Sequence, residues 1–208
     1  MHSSDTPAAA PAIEFWFDFG SNYSYISAMR IEEAARRSGA QVQWRPFLLG
    51  PIFRSFGWEN SPFVLQKAKG DYVWQDMVRE CRKAGIPWRK PSVFPRSALL
   101  PLRVALLGAE QDWIGGYCRR IMSLNFAEDR DVDNIRTVAE VLRELGLDAR
   151  AILDAAQSEA NKLRLREQTE LARARGVFGA PTFFVGEEMF WGNDRLDDAL
   201  TECARAKP

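Results

Sequence analysis

Phe15-Trp16-Phe17-Asp18-Phe19-Gly20-Ser21-Asn22-Tyr23-Ser24-Tyr25 joins an aromatic, apolar run to a short polar turn and, at once, to a helical pattern. The apolar run has strand composition, so the turn lies at the mouth of a strand-to-helix junction. The first amides of a helix have no intrahelical partner and carry partial positive charge. A thiolate, carboxylate or phosphate held there is stabilised. Ser21 stands where a helix cap belongs, its hydroxyl accepting from an amide two or three residues on. Alternatively, the same hydroxyl donates to a bound anion.

Outward from this turn, Ile13 to Phe19 is predicted as a buried strand and Asn22 to Arg37 as a helix. Ile26, Met29, Ile31, Ala34 and Ala35 give the helix its apolar face, and Gly39 ends it. Gln41 to Leu48 is predicted as a second strand, with Val42, Trp44 and Pro46 alternating with Gln41, Gln43 and Arg45. Strand, helix and strand over so short a stretch make a right-handed βαβ unit.

From Ile52 to about Arg175 no strand is expected. Helices are predicted over Lys69–Ala84, Ser97–Gly108 and Trp113–Phe126, and a further one runs from an Asp133 cap to Gly146. Two more cover Asp148–Gln157 and Ser158–Arg175, the latter with Leu163, Leu165 and Leu171 as its apolar side. Strand chemistry returns at Thr182–Val185, followed by a Gly186-Glu187 turn and an antiparallel partner at Glu188–Trp191. Asn193 or Asp194 then caps a last helix. The chain thus divides into a disordered lead (1–12), an α/β domain (13–50 and 176–205) and an inserted helical subdomain (51–175). That subdomain includes the helix leading back to the sheet.

Composition excludes several classes. Lys plus Arg and Asp plus Glu both number 28, so zero formal charge lends no support to nucleic-acid binding. No window approaches the ~18 consecutive apolar residues of a membrane span. The lead lacks the apolar core of a secretory signal, so a cytoplasmic protein is the expectation. Three widely spaced cysteines, Cys81, Cys118 and Cys203, form no metal or redox motif and read as structural thiols. The one histidine, His2, lies in the lead. Ser-His-Asp hydrolysis and His-based zinc sites are therefore excluded from the folded part.

Asp18-Phe19-Gly20-Ser21-Asn22-Tyr23-Ser24-Tyr25 resembles the N-terminal signature of 2-hydroxychromene-2-carboxylate isomerases. With kappa-class glutathione transferases, these belong to the DsbA-like branch of the thioredoxin fold. The resemblance implies an α/β thioredoxin-like fold with a large all-α insertion, matching the element order above. Redox members carry Cys-x-x-Cys at this turn, where this chain has Ser21 and Ser24. In Gly179-Ala180-Pro181-Thr182-Phe183, the resemblance implies that Pro181 is cis and that the Ala180 backbone binds the cysteinyl part of glutathione. Phe190-Trp191-Gly192-Asn193-Asp194-Arg195-Leu196 is similar to the family's γ-glutamyl-binding segment, which assigns that role to Asn193 and Asp194. Lys69 lies in a segment resembling the helix that overhangs the active site, where it binds a carboxylate of glutathione or of substrate, or else is a solvated lysine. Trp58, Trp74 and Trp88 are candidates for an aromatic wall around a planar substrate, or for core packing. Asn22 departs from the family pattern, standing where many members carry proline.

The resemblance implies a glutathione-dependent isomerase of aromatic-degradation intermediates, with Ser21 catalytic, a small aromatic substrate and a homodimeric assembly. A kappa-like glutathione transferase is one alternative. A non-enzymatic thioredoxin-like binding module is another. Native protein is expected to show no insulin-type disulfide reduction, and the paired changes Ser21→Cys and Ser24→Cys to create some. A turbidity assay with dithiothreitol checks both, and measurable wild-type turnover contradicts this reading of the turn.

Overall fold

The structure, a computed structural model, describes residues 11–205. His2 and the lead up to residue 10 lie outside the described residues. The first strand begins slightly earlier than expected: β1 spans Ala12–Phe17. It is followed by α1 (Asn22–Ser38) and β2 (Gln41–Pro46). Gly39 ends α1 in the left-handed conformation, at φ 67°, as its position predicts.

β1 sits inside a four-stranded sheet of order β2-β1-β3-β4, with β3 at Thr182–Val185 and β4 at Glu188–Trp191. It pairs parallel with β2 and antiparallel with β3, and β3 pairs antiparallel with β4. Strand alternation explains its unbroken apolar sequence. Ile13, Phe15 and Phe17 enter the main core on one face, while Trp16 enters a second core on the other. Phe15 is the hub: its ring lies 5.3 Å from Trp44 on β2 and 5.4 Å from Phe183 on β3.

Between β2 and β3 the described chain is helical, as expected: α2 (Leu49–Ser55), α3 (Pro62–Leu65), α4 (Lys67–Ala84), α5 (Leu99–Gly108), α6 (Ile114–Phe126), α7 (Ile135–Glu144), α8 (Ala149–Gln157) and α9 (Glu159–Ala174). α2 and α3 were not predicted, being too short to show a period. The chain closes with α10 (Leu196–Arg205). No helix of the described residues is long and apolar enough to cross a membrane.

Three local expectations need correction. Asp133 does not cap the helix that follows it. Its carboxylate accepts from the Leu100 amide at 2.7 Å and the Ser97 hydroxyl at 2.6 Å, holding the start of α5. Asn134 caps α7 instead, accepting from the Arg136 amide. Neither Asn193 nor Asp194 caps α10 with its side chain; both lie in a 3₁₀ turn, Asn193–Arg195, that leads into it. On α9 only Leu165 of the three leucines is buried, and Leu163 and Leu171 are 54% and 50% exposed.

Asp133→Ala should lower unfolding free energy by about 1 kcal/mol, the scale of a lost cap. Amide hydrogen exchange should speed up at Leu100 and stay unchanged at Arg136. The reverse pattern would return Asp133 to its own helix.

Candidate functional site

One end of the sheet collects the chemistry. The turn after β1, the loop entering β3 and the corner leaving β4 all meet there, because β3 runs antiparallel to β1. Asp18 builds the turn. Its carboxylate accepts from the Gly20 amide at 2.7 Å and from the Leu49 amide at 2.8 Å. The second bond caps α2, whose own N-cap position, Leu48, offers no side-chain acceptor. Burial pushes the Asp18 carboxyl above its ordinary range, while the Leu49 and Gly20 amides draw it back down. Gly20 lies close to its neighbours: a Cβ there would lie 3.1 Å from the Arg96 carbonyl, a tight contact. The turn is thereby pressed against the loop that precedes α5. Asn125 on α6 secures it from below, donating to the Phe19 carbonyl at 3.0 Å.

Ser21 is both cap and bridge. Its Oγ accepts from the Ser24 amide at 3.2 Å and donates to the Ala180 carbonyl at 2.8 Å, across 159 residues of sequence. The Ala180–Pro181 bond is cis, as the resemblance implies. Ser21, Ala180 and Pro181 are therefore brought together. Ser21 is 6% exposed. Ser24, at the second cysteine position of redox members, is fully buried and its hydroxyl has no partner among the described residues. The neighbouring Asn22 is buried too, and its side-chain nitrogen has no partner among the described residues.

Asn193 is buried, and its side-chain oxygen accepts from Ser27 on α1 at 3.0 Å. That bond seats the β4–α10 corner beside the helix that Ser21 begins. The Asp194 side chain is exposed, with its carboxylate 3.4 Å from the Arg195 guanidinium and close over Gly192. Lys69 is exposed in the first turn of α4. Its neighbour Lys67 pairs with Asp71 at 2.6 Å, whereas Lys69 makes no ion pair among the described residues.

The three candidate tryptophans part company. Trp74 and Trp88 stack at 6.1 Å, and Trp88 continues through Phe126 to Tyr25, so both belong to internal packing. Trp58 is exposed and clusters with exposed Phe56 and half-buried Phe53. Residues that sequence reasoning missed include Trp191, 52% exposed and 4.8 Å from Phe178. Its indole lies against Gly179, beside the residue that receives the Ser21 hydrogen bond. The signal was available: a tryptophan on a strand of otherwise modest burial, next to the Gly192-Asn193-Asp194 segment. A groove of about 450 Å³ between α1 and α10, lined by Arg30, Glu33, Arg37 and Asp197 among others, contains none of these site residues.

All three cysteines are buried and free. Burial pushes the Cys81 thiol up to about 12 and that of Cys118 well above its ordinary range. Neither is a nucleophile near neutral pH.

A sheet with an antiparallel third strand, a helix-capping serine and a cis-proline facing it define a thioredoxin-fold protein without the redox pair. A profile of the DSBA-like thioredoxin domain matches residues 12–203, and the 2-hydroxychromene-2-carboxylate isomerase of Sphingobium xenophagum is 32% identical over 190 residues, covering 89% of this chain and 94% of the relative. The chain belongs to the DSBA-like thioredoxin family and, within it, to the 2-hydroxychromene-2-carboxylate isomerases. A solved structure of such an isomerase superposes with a TM-score of 0.84 at 28% identity, over 93% of this chain and 95% of that one. The glutathione S-transferase kappa 1 of Caenorhabditis elegans is 26% identical over 209 residues, covering 89% of this chain and 88% of the relative.

Asp18→Ala should cost about 1–3 kcal/mol, because two amides lose their acceptor. The Asp18 carboxyl is raised above its unfolded value by burial, so the folded chain keeps a proton that the unfolded chain has released. Its contribution to stability is complete below about pH 3.8 and declines as pH rises through the folded value. Urea midpoints of wild type and variant between pH 4 and 8 (about the span over which a raised carboxyl titrates) should therefore converge upward in pH. A gap that widens instead contradicts the burial effect.

Proposed function

We propose that this protein is a glutathione-dependent isomerase acting on 2-hydroxychromene-2-carboxylate or a similar aromatic-degradation intermediate. The observation that carries the reading is the hydrogen bond from Ser21 Oγ to the Ala180 carbonyl. It places a hydroxyl donor, a helix N-terminus and the backbone before a cis-proline around one point. Those are the groups a bound cysteinyl thiolate requires. Kinship with a kappa-class glutathione transferase supports the choice of thiol.

The residues fit glutathione part by part. Ala180 offers its carbonyl to the cysteinyl backbone in strand fashion. Asp194, largely free in solvent, pairs with the γ-glutamyl ammonium. Asn193 has its side-chain oxygen committed to Ser27, so it serves this head through its remaining polar groups and by fixing the corner. Lys69 pairs with the glycyl carboxylate. When bound, glutathione supplies a nucleophilic thiolate whose reversible addition to a conjugated carbonyl frees the adjoining bond to rotate.

Ser21 has a defined task in this scheme. Its hydrogen rests on the Ala180 carbonyl in the free protein. With the Ala180 carbonyl occupied by a cysteinyl amide, the Ser21 hydroxyl would be released to donate to the thiolate. Together with the amides opening α1, it holds the thiol deprotonated near neutral pH. No histidine or protein cysteine is needed.

A second reading, glutathione transfer to an electrophile, draws on the same kappa-class relative. Net consumption of glutathione during turnover separates it from isomerisation, in which glutathione is regenerated.

In Ser21→Ala, the bound thiol should titrate about one unit or more higher, the scale of one charge-assisted hydrogen bond. Thiolate absorbance near about 240 nm in the binary complex follows this titration. Isomerisation at neutral pH should fall with the thiolate fraction and partly recover at alkaline pH. An unchanged titration with full activity would reduce Ser21 to a helix cap.

A further inference from the structure

Tyr23 lies two residues beyond Ser21, in the first turn of α1. Its hydroxyl donates to the Asp76 carboxylate on α4 at 2.6 Å, across 53 residues of sequence. Burial, and the carboxylate that accepts from it, hold the phenol protonated well above its ordinary range. The ring also meets Phe63 of α3 edge-on, with centroids 6.3 Å apart. Phe63 in turn is locked to α4: Gly70 is buried against its carbonyl so closely that a Cβ would collide. Tyr23 is thus fastened to both ends of the segment that carries Lys69.

The face of α4 matters here. Val73 and Met77 are buried in the core shared with α1. Lys69 stands one turn before Val73, and Asp76 lies two turns on from Lys69 along the same stripe. Side chains tilt toward the N-terminus of their helix, so the Lys69 stem leans beyond the start of α4. A rotation or slide of α4 about α1 therefore moves Lys69 directly. The Tyr23–Asp76 bond opposes that movement, and it is made from the helix whose N-terminus is the candidate thiolate site.

We infer that Tyr23 is a positioning residue that sets Lys69 at working distance from the Ser21 turn through its bond to Asp76. The inference rests on the reading of Lys69 as the partner of the glycyl carboxylate of glutathione. It assigns Tyr23 no contact with glutathione. Its effect on affinity passes through Lys69, which a double-mutant cycle detects.

Glutathione affinity of the full chain is measured by calorimetry for wild type, Tyr23→Phe, Lys69→Met and the double variant. Lys69→Met should weaken binding about tenfold and Tyr23→Phe about three- to tenfold, the scale of single polar contacts. The double variant should bind no more weakly than Lys69→Met alone, because the position of an absent ammonium has no effect. Asp76→Asn, which keeps an acceptor for the Tyr23 hydroxyl, should stay within about twofold of wild type, while Asp76→Ala should match Tyr23→Phe. This pair keeps the test decisive if Tyr23→Phe fails to fold. If Tyr23→Phe costs the same factor with and without Lys69, or costs nothing, the positioning role is overturned and the Lys69 reading stands. If Lys69→Met binds as tightly as wild type, the Lys69 reading falls and takes the positioning role with it.

Discussion

One hydroxyl joins the two ends of this molecule. Ser21 opens α1 and at the same time holds the carbonyl of Ala180, a residue contributed by the far end of the chain. The bond forms because β1 lies between β2 and β3, so that the exit of one strand and the entrance of its antiparallel neighbour share an edge. A helix start that would otherwise face open solvent is thereby given a wall. The turn that precedes it is held against three other parts of the fold: Asp18 accepts from Leu49, Gly20 lies close to the Arg96 carbonyl, and the Phe19 carbonyl accepts from Asn125.

The same arrangement explains the division of labour between sheet and insertion. The sheet positions Ser21 and the cis-proline through backbone pairing, which tolerates wide changes in side chains. The inserted helices join the sheet side through side-chain bonds, such as Tyr23 with Asp76 and Asn125 with the Phe19 carbonyl. Each of these bonds is long-range in sequence, across 53 and 106 residues. An exposed aromatic pair, Phe178 and Trp191, borders the same end of the sheet from the strand side.

Much of this was legible in the sequence, and the failures have a common cause. Strands and long helices announce themselves by period, and Gly39, Asp148 and Ser158 mark boundaries where the structure has them. The motif around Ser21 and the loop at Ala180-Pro181 were recognisable because each is local. What escaped were interactions between distant residues. Asp133 looks like the cap of its own helix and instead holds α5. Leu48 looks like a poor start for α2, which Asp18 caps from another element. Asn193 looks like the cap of α10 and is instead buried against Ser27. Trp74 and Trp88 look equivalent to Trp58 until the stack to Phe126 is seen. Period and propensity carry no information about which distant side chain fills a vacant hydrogen bond.

The burial of Cys81, Cys118 and Cys203 has a consequence for life among small thiols. Thiol–disulfide exchange requires an attacking thiolate with access to its target. These sulfurs are shielded, and desolvation keeps their protons on. Oxidised glutathione therefore finds no foothold for a mixed disulfide on the folded chain. The fold is insulated from the thiol–disulfide balance of its surroundings, and swings in that balance leave the folded chain chemically unaltered.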